Sequence, residues 1–205
     1  MAPENTMSAF REALRLGADG IELDVHASGD GGLVVIHDHD VSRTTDGAGD
    51  VRHLSTQELR GLDAGTWFSP MFQGERLPLL DEVLARPSPS FEIQLCGLTS
   101  DFVARVARTV EERVPWSAVE FTSLHALLLA ELKRIRPEAR LGLFAPARPT
   151  WMSEPLHLET VLAHAELLRA EVVHVAASAL TTGLASGYAR PDIVCTRQAR
   201  TTRPR

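Results

Sequence analysis

The chain has 205 residues, 44% of them hydrophobic, and a formal net charge of −6, enough for one substantial core and too little for two. That negative balance, without any clustered basic stripe, excludes a general nucleic-acid binder, which displaces counterions with grouped Lys and Arg. No apolar run approaches the ~20 residues of a membrane-spanning helix, "MAPENTMSAF" lacks the features of a secretory signal, and Cys96 and Cys195 are too few for a disulfide framework; the expected setting is the cytoplasm.

Met7, Phe10, Ala13, Leu14 and Leu16 recur at helical spacing behind the candidate caps Asn5 and Thr6, and Gly17 is placed to end the helix. "GIELDV", the turn residues "SGDGG" and the β-branched run "LVVIH" predict two tightly joined strands. In the simplest hairpin, centred near Gly29 and Asp30, positions whose numbers sum to about 59 lie opposite one another, which sets His37 across from Glu22. Residues 41–80 are polar and Gly-rich, a loop or insertion with one short helix at "STQELRGL". Alternation follows: strand "FEIQL", helix 101–112, strand "AVEFT", helix 124–135, strand "RLGLF", helix 156–168 and strand "EVVHVA". Such a succession predicts a parallel sheet, open or closed. Short strands of similar length, and the lack of a Gly-rich phosphate loop, favour a TIM-type α/β barrel. The expected domain is 1–196, followed by an Arg/Thr-rich disordered tail over 197–205.

Glu22 and Asp24 stand two apart on a strand and therefore share a face. A bare Glu-x-Asp is commonly an exposed strand face. Glu92, however, sits inside the apolar strand "FEIQL", where an unpaired charge is costly and a shared cation would offset it. With His37 added, the group could hold a hard divalent ion and handle a proton beside it. His26 and His39 read as solvated loop residues. Arg43 could approach a phosphate or close a loop salt bridge, while Trp67 and Phe68 pack "DAGTWF" over a rim. His53, His125, His157, His164 and His174 carry no motif and receive no role.

"PENT", "ELDV", the "HD" at residues 37–38, "RTTDG" and the P-x-L-x-E of "GERLPLLDEVL" together resemble the glycerophosphodiester phosphodiesterase family, of the PLC-like phosphodiesterase superfamily, from Pro3 to about Leu84 and more loosely on to about Ala145. The resemblance implies a TIM-type barrel that hydrolyses a small-molecule glycerophosphodiester to glycerol 3-phosphate and an alcohol with Mg²⁺ or Ca²⁺. It puts Glu22, Asp24 and Glu92 on the metal ligands and His37 on one of two catalytic histidines. Arg43 and Gln94 fall toward the phosphate, Gln94 where the family has a lysine.

The family's second catalytic histidine belongs to a His-Arg-Gly element before "PENT", and its late Trp-Thr element and closing Gly-Val-Asp strand are not matched. An incomplete barrel with weak turnover is therefore expected. The alternative is a relative that binds a metal or phosphorylated ligand without efficient turnover; a phospholipid-directed branch of the superfamily is a third reading.

Overall fold

The computed structural model describes residues 1–176 and, for its backbone, the strand at 194–198. Helix α1 (Met7–Arg15) starts at Thr6, whose hydroxyl accepts from the Ala9 N–H and donates to the Pro3 carbonyl. It ends at Gly17, at φ +86°. Strands β1 (Ile21–Ala27) and β2 (Leu33–Val35) form the hairpin. Their register pairs Val25 with Val35 and His26 with Val34, one position away from the register expected from spacing. The cause is the connection: Ser28 N–H bonds the Gly32 carbonyl and Gly31 takes φ +90°, closing a loop centred on Asp30. Ile36, not His37, continues the ladder by donating to the Asp24 carbonyl, so His37 does not face Glu22. On its other edge β2 meets residues 78–79, where Val35 N–H bonds the Pro78 carbonyl and Val34 bridges Leu79.

The polar segment after β2 has a core of its own, in which Val34 and Ile36 bury against Val41, Val51, Leu59, Ala64 and Leu77. It contains α2 (Thr56–Gly61), opened by a capping box between Ser55 and Glu58, and leads into α3 (Leu80–Leu84). Trp67 donates its indole N–H to the Ala64 carbonyl and stacks edge-on with Phe68, which meets Phe72 in the same way.

From there strands and helices alternate: β3 (Phe91–Leu95), α4 (Ser100–Arg113), β4 (Val119–Ser123), α5 (Ala126–Ile135), β5 (Arg140–Phe144), α6 (Glu154–Leu168), β6 (Val172–Ala176) and β7 (Val194–Gln198). The sheet order is β2-β1-β3-β4-β5-β6-β7, with all pairs parallel except β1 with β2. No pairing joins β2 to β7 among the described residues, so the sheet is open there. Strand β7 extends into the stretch expected to begin a tail at 197; residues 199–205 lie outside the described residues.

Strand alternation divides the sheet. Ile21, Leu23, Ile93, Phe121, Leu141 and Val173 bury against Phe102, Val106, Val110, Leu129 and Leu132 of the helices, forming the main core. The even positions of β1 and β3–β6 take the opposite face, and that face carries the acids. No helix among the described residues is long and apolar enough to cross a membrane.

Helix α5 offers a direct check on the assignment of its faces. Leu129 is fully buried and Leu127 is 84% exposed. Leu129→Ala should lower the unfolding free energy by about 2–5 kcal/mol and Leu127→Ala by no more than ~0.5 kcal/mol, measured by urea denaturation. Equal losses would contradict the orientation of the helix.

Candidate active site

Parallel register sets Glu22 beside Glu92, Glu92 beside Glu120, and Glu120 beside Arg140. One rung further toward the strands' C-terminal ends stand Asp24, Gln94, Thr122 and Gly142. A depression of about 270 Å³ reaches the first row from the strands' starting ends, lined by Ser90, Phe91, Glu22, Glu92, Glu120 and Arg140. Asp24 and His37 lie toward the other end, the one from which TIM-type sites are reached.

Crowded acids resist ionisation. Glu22 is pushed up to about 8, first by loss of hydration among surrounding protein atoms and then by the charges of Asp24, Glu92 and Glu4. Its side chain still meets solvent through the opening, so the upward direction carries the argument. Asp24, almost wholly buried, is raised by burial and partly offset by a hydrogen bond from Asn5 and by His37. Glu92 is raised by burial, with His174 opposing the shift and Glu120 and Asp24 adding to it.

Asn5 takes the left-handed φ of 52°. That turns its amide onto β1, where Nδ2 donates to Asp24 Oδ2 at 2.8 Å and Oδ1 accepts from the Asp24 N–H at 3.2 Å. Cys96 Sγ is 3.9 Å from the other carboxylate oxygen, and burial, with Asp24 adding to it, pushes the thiol up to about 12, so it stays protonated. Gln94 donates from Nε2 to Cys96 Sγ at 3.4 Å.

His37 sits at the rim with Nδ1 2.6 Å from Asp38 Oδ1. Arg43 donates to Asp38 at 2.5 and 3.1 Å and to Glu4 at 2.6 and 3.1 Å. The Arg43 hydrogen bond, ahead of His37, holds Asp38 down at about 2. Of the two readings of Arg43, the salt bridge is the one the structure places.

Three side chains outside the expected set matter. His26 is not a solvated loop residue: it ends the buried run of β1, its Nε2 is 3.2 Å from the His37 carbonyl oxygen, and its ring meets His39 edge-on at 4.8 Å. Burial lowers its pKa to about 4, so the ring is neutral. Glu120 and His174 join Glu92: His174 Nε2 lies 3.0 Å from Glu120 Oε1 and 3.7 Å from Glu92 Oε1. The signal was present in both cases, since each is a titratable residue between apolar neighbours in a strand, as Glu92 is.

The ligand atoms that the structure brings within 4.8 Å of one another are those of Glu92, Glu120 and His174, while Glu22 and Asp24 share the sheet face with Glu92 without forming such a cluster among the described residues. Carboxylate oxygens are the donors a hard divalent ion takes.

Comparison with known proteins gives the same picture. The model of the "Glycerophosphoryl diester phosphodiesterase family" matches residues 1–194. A glycerophosphodiester phosphodiesterase of Caldanaerobacter subterraneus is 36% identical over 162 residues, 76% of this chain and 65% of that protein, so the chain spans just under two thirds of that relative's length. An Oleispira antarctica phosphodiesterase solved with sn-glycerol-3-phosphate superposes with a TM-score of 0.85 at 25% identity, covering 97% of this chain and 79% of its own. The Agrobacterium tumefaciens glycerophosphodiester phosphodiesterase has a TM-score of 0.78 at 30% identity, covering 96% and 81%. Among the described residues the fold is thus a TIM-type α/β architecture whose sheet is not closed, and with the family model matching residues 1–194, the chain belongs to the glycerophosphoryl diester phosphodiesterase family.

Proposed function

We propose that the protein hydrolyses glycerophosphodiesters to glycerol 3-phosphate and an alcohol in the cytoplasm, with Mg²⁺ or Ca²⁺ held by Glu22, Asp24 and Glu92. The observation that supports this reading most is the set of three acids whose ionisation burial and mutual repulsion oppose, because a cation reverses both penalties. When bound, such an ion supplies Lewis-acid polarisation of the phosphoryl oxygens and offsets the charge added by attack.

The chain's own residues divide the remaining work. Asn5 fixes the Asp24 carboxylate through Oδ2, while the second oxygen stands 3.9 Å from the Cys96 thiol. Asp38 binds His37 Nδ1 and is itself held by Arg43, which Glu4 anchors in turn, and this orients the ring and leaves Nε2 to take or give a proton at the phosphodiester. Arg43 thus acts on the substrate through Asp38 and His37. Gln94, beside Asp24 in the register, places a neutral amide on this face, with its Nε2 bonded to Cys96 Sγ.

The test is release of glycerol 3-phosphate from glycerophosphocholine with and without added Mg²⁺ or Ca²⁺. Turnover should require the ion, fall about 10²–10⁴-fold in His37→Ala, and be lost in Asp24→Asn at ion concentrations that saturate the wild type. An ion that binds without any release would favour the ligand-binding alternative, for which Gln94 in the lysine position is the supporting feature.

A second expectation concerns pH. With Glu22 raised to about 8 from an ordinary 4.5, the folded chain holds more protons than the unfolded one between those values. Ion-free stability therefore falls as pH rises through that window. An ion displaces those protons, so the rise in Tm on adding Mg²⁺ or Ca²⁺ should be larger at pH 8 than at pH 5.5; a shift independent of pH would count against ion binding at these acids.

A further inference from the structure

We propose that Glu92, Glu120 and His174 form a second cation site, sharing Glu92 with the first and suited to an imidazole-accepting ion such as Zn²⁺ or Co²⁺. The sharing of Glu92 rests on the proposed function; the triad itself does not.

One ligand atom from each of the three residues lies within 4.8 Å of the others, with His174 Nε2 at 3.0 and 3.7 Å from the two glutamates. Donors placed ~2.0–2.2 Å from a common ion lie about 3–4.3 Å apart, so an ion would fit with shifts of tenths of an ångström. His174 is 5% exposed and both carboxylates are partly buried.

Two further observations point to an occupant. A Cβ on Gly142 would stand 2.6 Å from His174 Nε2 and 2.9 Å from Glu120 Oε1. Gly142 is not among the glycines at positive φ, so the backbone does not demand glycine there, and its bareness keeps the space open. Thr122, beside Gly142 in the register and on the same face as Glu120, has a buried hydroxyl with no hydrogen-bond partner among the described residues. A buried hydroxyl left unpaired is costly, and the ion or a water bound to it would satisfy the group.

The donor chemistry separates the two sites. Glu22, Asp24 and Glu92 offer only oxygen, the preference of Mg²⁺ and Ca²⁺, whereas an imidazole with two carboxylates favours ions of the Zn²⁺ and Co²⁺ type. A carboxylate shared between neighbouring ions is the arrangement of two-metal phosphoryl-transfer sites.

The experiment is a Co²⁺ titration of the full chain, read by equilibrium dialysis for stoichiometry and by visible absorption for the coordinated imidazole, with circular dichroism to check folding. Wild type should bind two ions. His174→Gln should lose one together with its absorption change, Glu120→Gln should weaken the same ion at least tenfold, and Gly142→Ala should weaken it by crowding. Asp24→Asn should lose the other ion and leave the imidazole spectrum intact. Should His174→Gln fail to fold, Glu120→Gln decides. A single ion removed by Asp24→Asn and untouched by Glu120→Gln and His174→Gln would overturn the triad site, as would no ion at all. A single ion lost in His174→Gln but indifferent to Asp24→Asn would support the triad and remove instead the site assigned to Glu22, Asp24 and Glu92.

Discussion

Parallel pairing places like residues of neighbouring strands on one face, and here it lines up Glu22, Glu92 and Glu120 in consecutive strands. Adjacent strands lie ~4.8 Å apart, and at an effective dielectric near 20 two ionised carboxylates at that spacing repel by about 3 kcal/mol; solvent reaching Glu22 lowers the figure. The chain accepts this because the odd positions of the same strands build its main core. The register that buries Leu23, Ile93 and Phe121 against the helices is the register that aligns the acids, so the strain cannot be relieved by slipping a strand. Protons, counter-charges or cations have to relieve it.

The segment before α1 ties the two halves of the site together. Glu4 and Asn5 are neighbours in sequence, yet Glu4 holds Arg43, and through it Asp38 and His37, while Asn5 holds Asp24. The left-handed backbone at Asn5 is what lets adjacent side chains diverge to these two targets. His26 adds a contact from below, with its Nε2 at the carbonyl oxygen of His37. His37 is therefore fixed at both its ring and its backbone although it stands at the exposed rim.

Much of this was legible before any coordinates. The strands β1 and β3–β6 and the helices between them follow from alternation and cap chemistry, and boundaries moved by only a residue or two, as where Ser153 starts α6 at Glu154. Register was less accessible, because it hangs on whether the loop after Ala27 holds an even or odd number of residues, which only the Ser28–Gly32 bond reveals. The core within the polar middle was hidden too: Val34 and Ile36 meet Leu59 and Leu77 across long sequence separations, and local polarity carries no trace of such contacts. His26 was misjudged because its place inside β1 depends on where the strand ends. Glu120 and His174 were visible as titratable residues between apolar neighbours in their strands, but their convergence requires His174 to reach across the bare Gly142 of the strand between them, which spacing in the sequence does not show.

The charge of the inner face then bears on how it treats an anionic substrate. Four acids, Glu22, Asp24, Glu92 and Glu120, are answered on the described face by Arg140, which divides itself between Glu120 and Glu171, and by His174. Where the resemblance leads one to expect a lysine, Gln94 adds an amide without charge and turns its nitrogen to Cys96. A neutral residue there leaves the acids less compensated, which strengthens the face's demand for cations while weakening its direct attraction for a phosphodiester. The two effects meet in the metal: the weaker the protein's own positive charge, the more the approach of an anion must depend on ions that the acids recruit. For the glycerophosphodiester proposed above, binding on this face would therefore be tied to cation binding more tightly than in a relative that keeps the lysine.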